Sequence, residues 1–274
     1  MEAARGTSEA VAARPRAFVA IRGPGAEDYL QRMVSNDVAA LAVGDSTDAL
    51  LLTAKARVIA PLRVVRRAED DFLLLTEPGL GETVRDHLVR FRFAARAEIE
   101  VEGHRSYLLL GRGIEPPAGA LTVSNADYGV PAVEVLDAAE PEGAARVSDD
   151  ELERMRIEAG TPLFGKEVDE RVLPAEAGLV ERAVSLTKGC YPGQEPIARL
   201  HYRGHANRSL RTLLLATETV PERGSKVLLG EKVVGRVTSA APANGCVVAL
   251  AYVRAEVPVD AELVVGDAVA RPLH

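Results

Sequence analysis

Two hydrophobic periods alternate along the first hundred residues. "FVAI" (residues 18–21) is a short apolar run that predicts a strand. After "GPG", the residues Tyr29, Leu30, Met33 and Val34 fall on one side of a predicted helix over "AEDYLQRMV". Residues 46–52 and 57–66 read as a strand pair joined by "TAKA", and Asp70 and Asp71 turn the chain into the strand "FLLLT". Leu80, Val84, Leu88 and Phe91 recur at helical spacing, which predicts a helix over 79–91. Strands are expected near 98–102 and 106–110.

The later pattern changes twice. "SDDE" (residues 148–151) has the form of a capping box, in which the serine caps a helix start. That helix should run to Ala159, with Gly160 ending it and Pro162 preventing its resumption. Residues 161–184 are loop-rich. Beyond Asn207, "LRTLLLAT", "SKVLLG", "KVVGRVTS" and "CVVALAYV" are β-type runs separated by Gly, Pro and Asn, as in a small barrel. The predicted organisation is a flexible tail over 1–16, an α+β region over 17–207 and a C-terminal β-barrel over 208–274.

Composition narrows the function classes. The chain has 274 residues, 47% hydrophobic and 27% charged, a globular composition. A net charge of −7 and only 4% aromatic residues disfavour direct nucleic-acid binding, which draws on basic surface and stacking rings. Two cysteines, Cys190 and Cys246, make no disulfide framework and suit a reducing compartment. Residues 1–16 are charged throughout, without the apolar core of a signal peptide, and no apolar run approaches the roughly 18 residues of a membrane span. A cytoplasmic protein without membrane contact is expected.

Candidate chemistry concentrates in "LTKGCYPGQEPIARLHYRGH", residues 186–205. Gly189 and Gly193 flank Cys190 and suit a sharp loop, and "GQEPIARLHYR" reads as a short helix ended by Gly204. Cys190 then precedes a helix N-terminus with Lys188 nearby, and both features favour a thiolate. The alternative is a small apolar residue in a structural loop, which fits Cys246 better than Cys190. His201 and His205 lie four residues apart, but Gly204 breaks the helix between them and there is no CxxC pair, so a metal centre or a Cys/His dyad is disfavoured. Arg199, Arg203, Arg208 and Arg211 form either a solvated basic face or a site for an anion such as a polyglutamate tail or an RNA backbone.

"KGCYPGQE", Lys188, Gly189, Cys190, Tyr191, Pro192, Gly193, Gln194 and Glu195, resembles the signature of the YgfZ family of folate-binding proteins, relatives of the glycine-cleavage T-protein, an aminomethyltransferase. The likeness extends over nearly the whole chain: "SND" at Ser35, Asn36 and Asp37, "RIEAGTPLFGKEV", "LPAEAGL" and "VVGRVTSAAP" each resemble a family element. It implies an α+β T-protein-like fold of packed segments around a central cavity for tetrahydrofolate or a derivative, with the barrel closing one side. It places the pterin-binding glutamate at Glu158, where a carboxylate can accept two parallel N–H bonds.

One departure from the T-protein bears on function. Its "G-G-I-x-D-D" aspartate pair aligns with "ARVIAP", so Ala60 and Pro61 stand where both acids would be. Neither side chain can position or carry a proton, which disfavours aminomethyl or other one-carbon transfer, the alternative reading. The resemblance implies instead a factor that assists assembly or repair of iron–sulfur client enzymes, for example a tRNA methylthiotransferase. Cys190 would be its functional thiol, with Lys188, Gly189, Tyr191, Gly193, Gln194 and Glu195 shaping the loop. A lone cysteine cannot hold an iron–sulfur cluster, so no stably bound metal is expected.

Overall fold

A computed structural model describes residues 10–111 and 115–273. The chain begins with β1 (Ala10–Ala13), followed by β2 (Ala17–Arg22), helix α1 (Ala26–Met33), β3 (Ser46–Leu52), β4 (Val58–Ala68), β5 (Asp71–Thr76), α2 (Gly81–Phe91) and β6 (Glu98–Glu102). Strands β3-β4-β5-β2-β6 form one antiparallel sheet. Its alternating side chains divide between two cores. Val19, Ile21, Leu51, Val64 and Leu74 pack against Leu30 of α1 and Leu88 of α2. Phe18, Ala20, Val65, Leu73 and Leu75 face the other way and meet Val123 and Leu136.

Those two residues belong to a second sheet. It is built from β7 (Ser106–Leu110), β8 (Leu121–Asn125), β9 (Ala132–Leu136) and the short β10 (Ala145–Arg146), in the order β10-β1-β7-β9-β8. Its use of β1 corrects the expected flexible tail over 1–16. Residues 10–13 pair with β7 and β10, and Val11 and Ala12 are buried, because small apolar side chains fit a central strand position. Residues 1–9 lie outside the described residues.

Helix α3 (Asp149–Glu158) starts where the capping pattern predicts: Ser148 Oγ accepts from the Glu151 amide at 3.2 Å. It ends at Ala159, and Gly160 adopts φ 71° while the Thr161 amide donates to Arg156 O at 3.1 Å, the turn that satisfies terminal carbonyls. Two short helices follow, α4 (Val180–Ala183) and α5 (Gln194–Arg203). The chain then enters a closed barrel of β11 (Arg208–Leu215), β12 (Lys226–Leu229), β13 (Lys232–Ala243), β14 (Cys246–Arg254), β15 (Leu263–Val265) and β16 (Ala268–Pro272). Sheets, helices and closed barrel give the α+β architecture that the resemblance implied. Among the described residues no helix is long and apolar enough to cross a membrane.

Candidate functional site

The "KGCYPGQE" loop is anchored at both ends. Lys188 is buried, and its Nζ donates to three carbonyls, Gln31 O and Val34 O at 2.6 Å and Asn36 O at 2.8 Å. These carbonyls lie at and just beyond the C-terminal end of α1, where the helix dipole favours a cation. Burial draws the Lys188 pKa down to about 8, so the side chain remains charged at neutral pH. The sequence reading set this ammonium beside the Cys190 thiol; the structure turns it onto the carbonyl cluster. At the other end Gly193 has φ 85° and packs against the β3–β4 turn, where buried Ala56 itself has φ 57°.

The residues between the anchors divide by exposure. Gly189 and Cys190 are exposed. Tyr191 is buried in the cluster that includes Leu50, Leu52 and Ile197, its ring is 5.1 Å from Lys188 Nζ, and burial pushes its hydroxyl up to about 12. Gln194 is half-buried, and Glu195 is exposed in the first turn of α5, where an acid suits the helix dipole. His201, Tyr202, Arg203 and His205 are all exposed. Among the described residues no group of three or more His, Cys, Asp and Glu side chains is placed to hold a metal ion.

The "SND" residues tie the loop to the first sheet. Fully buried Ser35 donates its hydroxyl to Ala183 O at 2.6 Å and accepts from the Leu50 amide at 2.8 Å. Its carbonyl accepts from the Ser185 amide at 2.9 Å, and Ser185 Oγ in turn accepts from the Lys188 amide at 3.2 Å. Asn36 Nδ2 donates to Thr47 Oγ1 and Asp48 O on β3.

A central cavity of about 300 Å³ lies between the two sheets, α3 and α4. Leu50, Pro61, Leu62, Leu75, Phe164 and Val168 give it apolar walls, and charged residues from every neighbouring element complete it. Asp48 accepts from Arg63 Nε at 2.8 Å and from Arg182 Nη2 at 2.7 Å, and Asp127 accepts from Arg182 Nη2 at 2.6 Å. Arg16 bridges Glu77 and fully buried Glu134, while Arg14 also reaches Glu77. Burial alone would raise the Asp127 pKa, but Arg63 and Arg182 hold it down at about 2. Burial likewise opposes Glu153, on the cavity wall, yet its bonds to Arg156 and Lys166 hold it at about 2.

This arginine–carboxylate network escaped the sequence reading. The available signal was a charge inside an apolar strand: Asp48 in "STDALLL", Arg63 in "VIAPLRVV" and Glu134 in "AVEVL". Of the residues singled out in the sequence, Pro61 lines the cavity and Ala60 is buried in the core behind the sheet. Cys190 and Glu158 do not line it. Glu158 is half-buried in the last turn of α3, and its Oε1 accepts from Arg154 at 2.7 Å.

Residues 13–107 match the family described as the GCVT N-terminal domain. The chain is 28% identical over 281 residues to the tRNA-modifying protein YgfZ of Edwardsiella ictaluri, spanning 90% of this chain and 85% of that protein. It is 25% identical over 282 residues to an aminomethyltransferase of Streptomyces avermitilis, spanning 86% of this chain and 76% of the relative. The crystal structure of glycine cleavage system aminomethyltransferase T from Bartonella henselae superimposes with a TM-score of 0.82 at 20% identity, covering 98% of this chain and 85% of that one.

Proposed function

We propose, on the premise that residues 13–107 are a GCVT N-terminal domain within a glycine-cleavage T-protein-like fold, that this chain binds tetrahydrofolate or a derivative and serves tRNA modification by maintaining iron–sulfur enzymes. The observation that carries the choice against aminomethyl transfer is Pro61. It lines the cavity at a position the resemblance gives to a catalytic acid. Two acids that do line it, Asp127 and Glu153, are poorly suited to replace that group. Asp127, held at about 2 by its arginines, lies far from the neutral pKa that proton transfer favours.

The cavity residues fit a folate. The apolar walls suit a flat bicyclic ring, and Arg14 Nε, on the same wall, is a buried donor with no hydrogen-bond partner among the described residues. It can take a carbonyl or carboxylate oxygen of the ligand. Glu158 is proposed as the pterin contact from the resemblance; it stands outside the cavity lining, so the pterin would have to reach beyond that wall to meet it. Arg14 and the apolar walls would bind and orient the folate and exclude water.

Cys190 is the proposed functional thiol. It is exposed for partner contact while Lys188 and Gly193 fix the loop beneath it. The test is complementation of a gene-deletion strain, read as the activity of its iron–sulfur enzymes. Wild-type protein should restore them and a folded Cys190→Ser variant should not. Restoration by the variant removes the thiol from the proposal. Turnover of the purified protein with the lipoyl carrier of glycine cleavage would favour the transferase reading, which the aminomethyltransferase relatives support.

A further inference from the structure

A second, more open cavity of about 820 Å³ shares Asp48 and Arg63 with the central one but is otherwise walled differently, by the start of β3 and the β8–β9 hairpin. Two buried donors in its wall have no hydrogen-bond partner among the described residues, Arg63 Nη1 and Asn125 Nδ2. Arg63 is 6% exposed and Asn125 is 4% exposed. Buried donors are almost always paired, so two in one wall point to a ligand that supplies the acceptors.

The surrounding bonds fix which atoms are left over. Asn125 Oδ1 accepts from the Asp127 amide at 2.9 Å, so the side-chain amide cannot be turned around without losing that bond. Arg63 gives Nε to Asp48 at 2.8 Å and reaches Asp127 with Nη2 at 3.5 Å, while Nη1 is 3.9 Å from Glu134. Those carboxylates are shared: Arg182 also holds Asp48 and Asp127, and Arg16 holds Glu134. Both unmet groups are donors, one of them cationic, so the matching group is an acceptor that carries negative charge. A planar carboxylate meets a guanidinium edge and an amide N–H well. The more highly charged phosphate is disfavoured by Asp48 in the same wall.

We propose that this second cavity is a binding site for a small carboxylate, held by Arg63 Nη1 and Asn125 Nδ2. The site does not depend on folate occupying the central cavity. The test follows the arginine Nε–H and asparagine side-chain signals of the full chain by NMR during titration with acetate, a monoanion, with the neutral acetamide and inorganic phosphate as controls. Acetate should give a saturable shift at Asn125 and Arg63, and the two controls should bind roughly tenfold more weakly or not at all. Asn125→Asp keeps the oxygen that caps Asp127 but replaces the donor with a charge. Ala126→Trp, at an exposed position that lines only this cavity, blocks it without disturbing the buried ion pairs. Each should weaken acetate roughly tenfold; Tm should stay unchanged in Ala126→Trp and fall in Asn125→Asp, which buries a carboxylate beside Asp127, and Ala126→Trp decides if Asn125→Asp does not fold. No saturable shift in wild type, equal binding of phosphate, or acetate binding untouched by Ala126→Trp would each overturn the proposal, the last by moving the carboxylate to the central cavity.

Discussion

Gly193 and Ala56 meet backbone to backbone. A β-carbon on Gly193 would stand 3.0 Å from Ala56 Cα and 2.8 Å from Thr53 O. Gly193→Ala therefore adds a clash with unyielding backbone to the strain of its φ of 85°. The expected loss is about 3 kcal/mol, measured by urea unfolding. Ala56→Gly relieves its own left-handed strain but frees the unfolded chain, and should leave stability within about 0.5 kcal/mol of wild type. Equal costs at the two positions would contradict this asymmetry.

Lys188 and Cys190 should separate in two assays. Lys188→Met strands three carbonyls and should lower stability by about 3 kcal/mol. Cys190→Ser alters one exposed side chain and should change stability by less than about 0.5 kcal/mol while abolishing complementation. Iodoacetamide should label Cys190 before Cys246, which is half-buried with its Sγ donating to Ala243 O at 2.8 Å.

Glu158→Ala should weaken tetrahydrofolate by about 2–4 kcal/mol, read by titration calorimetry, if Glu158 makes two charge-assisted bonds to the pterin. Unchanged affinity in Glu158→Ala together with a loss in Glu153→Ala would transfer the contact to Glu153, which lies on the cavity wall.

His104 gives the fold a pH-dependent joint. Its ring nitrogens lie 2.8 Å from Glu102 on β6 and 2.6 Å from Asp137 beyond β9, linking the two sheets. Burial alone would lower its pKa, but bonds to Glu102 and Asp137 raise it above the ordinary 6.5. The stabilisation is fully present below the unfolded value of 6.5 and disappears as pH rises through the folded value. The stability difference between wild type and His104→Gln, from urea curves at graded pH, should shrink over that rise. A difference that grows with pH would contradict the assigned sign.

The sequence made local structure legible where one period dominated. The α1 and α2 stripes, the Ser148 cap and the barrel runs all appear near their expected places. β8 and β9 give no legible period because "LTVSN" and "AVEVL" are short and sit between turn-rich segments. β1 reads as tail because "AVAA" is small and stands next to charged residues. The arginine–carboxylate network was out of reach for another reason: Arg16, Asp48, Asp127 and Arg182 come together only through tertiary packing. The motif loop was legible as a loop, and the backbone freedom expected of Gly193 is used. The target of Lys188 was not legible, since its acceptors are backbone carbonyls some 150 residues earlier.

The position of β1 sets an order of events during synthesis. Ala10 pairs with Leu110 on one side and Ala145 on the other, so a strand made among the first must wait for partners made much later. Every strand of the first sheet lies between Ala17 and Glu102 and can zip up meanwhile. The second sheet closes only when β7 and β10 reach back to β1, a long loop to close and a slow step. Until then Val11 and Ala12 stay exposed, and a bulky fusion placed immediately before Ala10 would obstruct assembly of the second sheet while leaving the first sheet free to form.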